Sequence, residues 1–338
     1  MNQDWPDRAE PLKLTDAQRE NLSVLFVAKH ALSGGEFDAV DGSHAIYHDE
    51  ILRTLRGLGL ETRAANSFEA LFEKPDFNYL FSLYNRVGFR NSEVLANTLA
   101  EYHGIAYLGA YPSIRGVVDD KNLSKHLLRS VGVKTEDWVF FGVGQTDYPE
   151  PDFAADGGKV VVKPNNSSAS WGIKAFTDWG DARAHIAWLQ EQDCDVVVEA
   201  FAPGANVTVP VIGASRMWVL PPVEIVTESD DGMYTFEQFR GHEKGTSLRL
   251  FERPEFYDKI IETCRAINDA IWPFDYGRHD FRLDPETGEL SCLEMNLICN
   301  LGSTRGIARS AASIGVSHPE LIESIIAYSL NRRGLTFA

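Results

Sequence analysis

Two strand-like segments joined by a short turn set the strongest constraint on how this chain can fold. The first covers residues 278–283 (RHDFRL) and the second covers residues 292–296 (CLEMN). Between them, residues 284–288 (DPETG) contain a proline, an aspartate and a glycine, which favour a turn. The pattern predicts a β-hairpin, so the fold must place these two strands side by side.

The polar side chains of this hairpin indicate a metal site. Side chains alternate along a strand, so Asp280 shares a face with Arg278, and Glu294 shares a face with Asn296. Two carboxylates and a carboxamide on facing strands form an all-oxygen cluster, which suits Mg²⁺ held together with the phosphates of a nucleotide. A solvated hairpin face without a ligand is the alternative that spacing leaves open.

The acidic composition restricts the possible partners. A formal net charge of -17 over 338 residues argues against general nucleic-acid binding, which requires a cationic surface, but ATP needs only a few local cations. The four cysteines have no zinc-site spacing, so free thiols in a reducing compartment are expected. There is no signal-peptide pattern and no apolar run near the ~20 residues of a membrane helix. We expect a cytoplasmic protein without nucleic-acid or membrane partners.

The chain up to about residue 115 predicts an open α/β sheet. A polar leader covers residues 1–20, and strand candidates then alternate with helical patterns, as expected for such a sheet. The strand candidates are residues 22–28, 60–65, 79–83 and 105–108, and the helical patterns are residues 44–58 and 93–102.

Three later features indicate phosphate and nucleotide binding. A helix is predicted over residues 119–132, from an aspartate cap to a glycine, with Lys121 in a first turn where the helix dipole disfavours a cation. A strand ends at Lys163 and enters a serine-rich loop, whose N–H and O–H groups suit a phosphate. An apolar run then leads through Glu199 to Phe201, a possible wall for a flat heterocycle. A solvated lysine and a hairpin loop without a ligand are the alternatives.

Six ordered blocks resemble the ATP-grasp superfamily and, within it, the D-alanine–D-alanine ligase family. They are residues 104–109 (GIAYLG), 120–121 (DK) with Lys125, 162–164 (VKP), 198–204 (VEAFAPG), 220–225 (LPPVEI), and the hairpin motifs RxDF at 278–281 and LExN at 293–296. The tail from residue 311 to 322 resembles the family's last helices. The resemblance is weak over residues 22–115 and clear over residues 117–330.

The resemblance implies an ATP-grasp fold of mixed α/β and α+β class. The expected parts are an amino-terminal open α/β domain over residues 21–115, a small central domain over 116–200, and a carboxy-terminal α+β domain over 201–338. ATP is expected between the last two, under a closing loop at 229–247. A homodimer through the amino-terminal domain is also implied.

The resemblance further implies the roles of individual residues. Arg278 would be catalytic, and Asp280, Glu294 and Asn296 would bind two Mg²⁺ ions, for which Mn²⁺ can substitute. The implied ATP-binding residues are Lys121, Lys163, Ser167, Ser168, Ser170, Glu199, Ala200, Phe201, Ala202, Asn206 and Leu293. In the implied reaction a carboxylate attacks the γ-phosphate of ATP, and an amine then displaces phosphate from the acylphosphate to form an amide.

The sequence departs from the family mainly where the amino acids bind. The first loop lacks the family's Glu-His-x-Val-Ser run, and residues 300–305 (NLGSTR) replace the family's Gly-Met-Thr-Ser segment. The phosphate loop is also altered, at residues 167–172 (SSASWG). The candidates for binding the small-molecule carboxylate and amine substrates are Tyr84, Phe239, Arg240, Asn300, Ser303 and Arg305.

These changes favour a ligase that joins an amino acid to another amino acid or to a small carboxylic acid, in a specialised pathway. A D-alanine–D-alanine or D-alanine–D-lactate ligase of cell-wall synthesis is the first alternative. A nucleotide-binding protein without ligase activity is the second, although the retained metal cluster argues against it.

Overall fold

Three β-sheets organise the protein. The computed structural model describes residues 5–7, 10–84, 92–167, 170–213, 216–233, 238 and 245–335, and within them the sheets have four, six and four strands. None of the helices in these segments combines the length and apolarity that a membrane crossing requires.

The amino-terminal sheet is parallel, as the alternation of strands and helices predicts, with the strand order β2-β1-β3-β4. Its strands are β1 (Ser23–Val27), β2 (Glu61–Ala65), β3 (Tyr79–Ser82) and β4 (Ala106–Tyr107). The helices of this region are α1 (Asp16–Asn21), α2 (His44–Gly57) and α3 (Ser92–His103), with a 3₁₀ turn at Phe68–Leu71. The inner strands β1 and β3 are almost wholly buried, which explains their continuous apolar sequences.

The central sheet is antiparallel, with the order β5-β8-β6-β7. Its strands are β5 (Trp138–Phe141), β6 (Val160–Pro164), β7 (Lys174–Phe176) and β8 (Val196–Ala200). The associated helices are α4 (Pro112–Asp119), α5 (Lys121–Ser130) and α6 (Trp179–Glu191), with a 3₁₀ segment at Asp152–Gly157. The expected aspartate cap is confirmed at Asp120, whose side chain accepts the Leu123 N–H at 2.8 Å, whereas Asp119 ends the preceding helix.

The carboxy-terminal sheet has the order β12-β11-β9-β13-β14, with β10 beside β9, and all its pairings are antiparallel. Its strands are β9 (Ala205–Gly213), β10 (Met217–Val219), β11 (Val223–Thr227), β12 (Thr246–Leu250), β13 (Tyr276–Leu283) and β14 (Leu290–Asn296). The helices are α7 (Tyr257–Ala270), α8 (Gly306–Ser313) and α9 (His318–Arg332), with a 3₁₀ turn at Pro254–Phe256.

The predicted hairpin is confirmed as β13 and β14. In its turn, Asp284 Oδ1 accepts the N–H of Glu286 at 2.8 Å, and Gly288 has a φ of +68°, which a residue without a Cβ adopts at no steric cost. The turn therefore has the chemistry that the sequence suggests.

The first and last parts of the chain share one hydrophobic core. Phe26 of β1 and Phe81 of β3 belong to the same buried cluster as Leu321 and Ile325 of α9. The leader segment also packs on the carboxy-terminal region, since the Trp5 ring lies 4.8 Å from the ring of Tyr257. We propose the boundaries near residues 115 and 200 as limits of structural regions.

The buried imidazole of His279 gives the fold a defined acid sensitivity. His279 Nε2 lies 2.8 Å from Asn268 Oδ1 of α7, and burial lowers the pKa of His279 to about 3. The unfolded chain binds a proton near pH 6.5 and the folded chain does not, so stability falls by at most about 1.4 kcal/mol per pH unit as the pH drops below 6.5.

We therefore expect His279→Gln to reduce the loss of unfolding free energy between pH 6.5 and 4.5, as measured by urea denaturation at each pH. All other acid-sensitive groups are common to both proteins, so the difference between their slopes isolates His279. Equal slopes would show that this histidine does not contribute.

Candidate active site

A cleft lies between the central and carboxy-terminal sheets. One wall carries Val161 and Lys163 of β6 and Glu199 of β8, and the other carries Asp280 of β13 and Glu294 of β14. Helix α2 of the amino-terminal region closes one end of the cleft. Residues from all three predicted regions therefore meet at one site.

The hairpin carboxylates form the centre of this site. Asp280 pairs directly with Glu294 across the hairpin, and a β-bulge follows Asp280. Asn296 Nδ2 donates to Asp280 Oδ2 at 2.9 Å and to Glu294 Oε1 at 3.2 Å. Arg278 Nη2 donates to Asp280 Oδ2 at 2.8 Å, and the Thr208 hydroxyl donates to Asp280 Oδ1. Arg278, Asp280, Glu294 and Asn296 thus form one hydrogen-bonded cluster.

The two carboxylates differ electrostatically. Burial raises the pKa of Asp280 most strongly; Arg278 opposes this effect, and the adjacent Glu294 charge adds to it, so that the pKa stays raised. Burial also disfavours ionised Glu294, but Lys121 and Arg278 outweigh it and lower the pKa of Glu294. Like charges directly opposite each other destabilise a sheet, so the pair indicates a requirement for a cation.

The donor set of this cluster fits Mg²⁺. Asp280 and Glu294 each supply carboxylate oxygens, and the Asn296 amide N–H group donates to both of them. The same Asn296 side chain also has an amide oxygen that could bind a cation. Oxygen ligands of this kind, few in number and open to a cleft, are those that Mg²⁺ takes up beside nucleotide phosphates. The residues present therefore suit the metal that the sequence predicts.

A buried cluster of two lysines and a glutamate lies on the opposite wall. The ammonium of Lys163 pairs with Glu199 Oε1, and Lys125 Nζ lies 2.7 Å from Glu199 Oε2. Burial opposes ionisation of Glu199, yet the two lysines more than offset it and lower the pKa of Glu199 to about 2. Lys163 and Glu199 line the cleft, whereas Lys125 lies behind them.

Lys121 connects the serine loop to the hairpin. Its Nζ donates to the backbone carbonyl of Ser167 at 3.0 Å and lies 4.0 Å from Glu294 Oε2. Ser167 and Ser170 line the cleft, and Ser170 has a left-handed φ of +60°. The predicted ATP-binding residue Ser168 lies outside the described residues.

The predicted adenine wall lines the same cleft. Phe201 and Ala202 follow β8, and Leu293 lies on β14 opposite them. Asn206 also lines the cleft, and its Nδ2 donates to the Gly232 carbonyl at 2.8 Å. Ala200 is not among the residues that line the cleft; it pairs with Val160 in the central sheet, and its N–H donates to the Asp137 carbonyl at 2.9 Å.

The predicted substrate residues separate into three groups. Asn300 lines the cleft, and Ser303 and Arg305 line a second cavity that adjoins it. Tyr84 instead packs in the amino-terminal core, with its ring 4.6 Å from that of Phe68, and its neighbour Leu83 lines the cleft. Phe239 and Arg240 lie outside the described residues.

The second cavity lies between α2 and the loop at 300–305. It adjoins the main cleft at Tyr47 and Asn300, which line both. Arg305 Nη2 donates to the Ser43 hydroxyl at 2.8 Å, and the Ser303 N–H donates to Glu50 Oε2 at 3.0 Å. The loop that replaces the family's segment is therefore held against α2.

The sequence reasoning missed three residues of α2. His44, Tyr47 and His48 line the cleft beside Cys299 and Asn300. Their spacing of i, i+3 and i+4 places them on one helix face, and this signal was present in the sequence. The helix was predicted from its apolar residues alone. Its other face, which carries these two histidines and the tyrosine, lies toward the cleft.

Comparisons with known proteins agree with this geometry. A sequence model of the family described as D-ala D-ala ligase C-terminus matches residues 127–327, more than half of the chain. A D-alanine–D-alanine ligase from Carboxydothermus hydrogenoformans is 27% identical over 272 residues, which are 77% of this chain and 83% of the relative.

Two solved structures share the fold. The crystal structure of the Bacillus anthracis D-alanine–D-alanine ligase complexed with ATP has a TM-score of 0.73 and 22% identity, and it covers 93% of this chain and 99% of its own. The D-Ala:D-Ser ligase VanG from Enterococcus faecalis has a TM-score of 0.71 and 16% identity, over 91% of this chain and 99% of its own. These structures show the fold, and the family match over more than half of the chain shows the family: the chain belongs to the D-alanine–D-alanine ligase family of ATP-grasp enzymes, which are ATP- and Mg²⁺-dependent ligases that form carbon–nitrogen bonds.

Proposed function

We propose that the protein joins an amino acid to another amino acid or to a small carboxylic acid, through an acylphosphate. The observation that carries this proposal is the arrangement of Arg278, Asp280 and Glu294 across one cleft from Lys163. Together they offer a place for a triphosphate, for its metal and for a reacting carboxylate.

Individual residues have distinct roles in this proposal. Lys121 and Lys163 bind the phosphates with Ser167, Ser168 and Ser170, while the chain from Glu199 to Ala202 holds the adenine with Leu293. Asn206 binds the ribose. Asp280, Glu294 and Asn296 hold Mg²⁺, which when bound supplies positive charge that draws electron density from the γ-phosphate.

The chemistry has two steps. A substrate carboxylate oxygen attacks the γ-phosphorus and ADP leaves, which forms the acylphosphate. The amine of the second substrate then attacks the acyl carbon, loses a proton and expels phosphate, leaving an amide. Arg278 donates to the oxyanion that develops at the acyl carbon, and its ion pair with Asp280 fixes its orientation.

The substrate side of the site supports substrates other than two D-alanines. Residues 300–305 replace the family's Gly-Met-Thr-Ser segment and bring Asn300 and Arg305 to the two cavities, and Tyr47 adds a bulky side chain at their junction. The guanidinium of Arg305 suits a substrate carboxylate. A D-alanine–D-alanine or D-alanine–D-lactate ligase is the second candidate, supported by the name of the relative from Carboxydothermus hydrogenoformans.

The first experiment is Mg²⁺-dependent phosphate release from ATP with D- and L-amino acids, tested singly and in pairs. Stimulation that requires two different substrates supports the main proposal and identifies them. Stimulation by D-alanine alone would contradict it and favour the second candidate. Absence of turnover across the panel, with ATP still bound, would indicate either a carboxylic acid outside the panel or a nucleotide-binding protein without ligase activity.

We expect Arg305→Ala to raise the KM of one amino-acid substrate by about tenfold or more, because a carboxylate loses a charged donor. The KM for ATP should change little, since Arg305 lies beside α2 and not beside Lys163. Lys259→Ala, which removes an exposed cation from α7, is the matched control. Unchanged KM values for both substrates would contradict the role of Arg305.

We also propose that the protein is a cytoplasmic homodimer that associates through its amino-terminal region. Light scattering coupled to gel filtration measures the mass of the particle directly. A monomeric mass at micromolar concentration would contradict the dimer.

A further inference from the structure

A lysine behind the cleft has no part in the function described above. Lys125 of α5 is only 1% exposed, although a charged lysine is rarely buried without a compensating partner. Its Nζ lies 2.7 Å from Glu199 Oε2 and donates to the Thr135 hydroxyl at 2.7 Å. This cation therefore has a specific partner, and that partner is a residue of the cleft wall.

The partner carboxylate is shared between two cations. Glu199 is 2% exposed, and its other oxygen, Oε1, pairs with Lys163. The three side chains together carry a charge of about +1, because one carboxylate meets two ammonium groups. Without Lys125, Glu199 and Lys163 would form a buried pair of equal and opposite charges. In such surroundings each charge is held strongly by its partner.

We propose that Lys125 is a positioning residue for ATP: it neutralises Glu199 and thereby leaves the charge of Lys163 free to act on a phosphate. The inference rests on the proposed binding of the ATP phosphates beside Lys163. A positive excess at this wall is needed, because the whole chain carries a net charge of -17 and repels a triphosphate at long range. That excess is the charge of Lys163, which Lys125 leaves available by neutralising Glu199, and Lys125 does so without occupying space in the cleft.

The test is the affinity for the non-hydrolysable ATP analogue AMP-PNP with Mg²⁺, measured by calorimetry. We expect Lys125→Met to weaken binding by about tenfold or more, and Lys125→Arg, which keeps the charge, to restore most of the affinity. Thermal unfolding followed by circular dichroism reports whether each variant is folded.

The decisive comparison is between Glu199→Gln and the double variant Lys125→Met/Glu199→Gln. Once the glutamate charge is removed, Lys125 has nothing to neutralise, so both proteins should bind the analogue within about threefold of each other. A double variant that binds about tenfold more weakly than Glu199→Gln would overturn the proposal. This comparison holds even if Lys125→Met alone fails to fold, because the double variant leaves no unpaired carboxylate.

Lys163→Met separates this inference from the proposed function. If it leaves the affinity for the analogue unchanged, the phosphates do not lie beside Lys163 and the proposed site fails. If Lys163→Met weakens binding, and Lys125→Met/Glu199→Gln binds the analogue tenfold more weakly than Glu199→Gln, only the role of Lys125 is refuted.

Discussion

Asp280→Asn is expected to lower kcat for ligation by about a thousandfold or more, since an amide replaces a carboxylate at the centre of the proposed metal site. The thermal unfolding temperature without Mg²⁺ and ATP should be at least that of the wild type. Burial raises the pKa of Asp280, so the folded chain tolerates a neutral side chain there better than a charged one. Steady-state phosphate release and differential scanning calorimetry measure the two quantities.

The matched control for this variant is Asp284→Asn, the same substitution in the turn of the same hairpin. Asp284 is half-buried in the turn, away from the cleft, and accepts backbone N–H groups of that turn, so its loss should leave kcat unchanged. If Asp280→Asn keeps more than about a tenth of the wild-type kcat, the hairpin is not the metal-binding centre.

Arg278→Met is expected to lower kcat by about a hundredfold to a thousandfold, which is typical when one donor to a developing oxyanion is removed. The KM for ATP should change by less than about threefold, because the interaction strengthens only as the reaction proceeds. Arg278→Lys should recover little, since a lysine cannot reproduce the two parallel N–H groups that now contact Asp280.

Arg249→Met provides the control for this second variant. Arg249 lies on β12, is exposed, and forms a two-pronged ion pair with Glu224 outside the cleft. Loss of the Arg249 side chain should change the free energy of unfolding only slightly and should leave kcat unchanged. An Arg278→Met enzyme that loses activity through KM alone would show that this arginine binds substrate without stabilising the transition state.

The alternation of side chains along a strand was sufficient to predict which residues share a face of the β13–β14 hairpin. The alternation of side chains places Asp280 beside Arg278, and the turn residues place the second strand antiparallel to the first. The direct pairing of Asp280 with Glu294 could not be read from spacing. It depends on the length of the turn and on the bulge after Asp280, which shifts the register by one residue.

Strand order and long-range contacts could not be predicted from the sequence, for a different reason. Chain order does not specify that β1 lies between β2 and β3. Similarly, Lys125, Lys163 and Glu199 come from three separate elements, and no local pattern records that their side chains converge. The resemblance to a family supplied the roles of Lys163 and Glu199, but it gave no reason to connect Lys125 with them.

The core that joins β1 and β3 to α9 determines when the amino-terminal sheet can become stable during synthesis. Phe26 and Phe81 are translated well before Leu321, Ile322 and Ile325, with which they share this core. Until α9 is made, one face of the nascent sheet has only the apolar cover that α2 supplies, and its full stabilisation requires contacts between distant parts of the chain. Strands β1 and β3 are therefore translated long before the helix that completes their core, and they gain their final stability only after α9 has been synthesised.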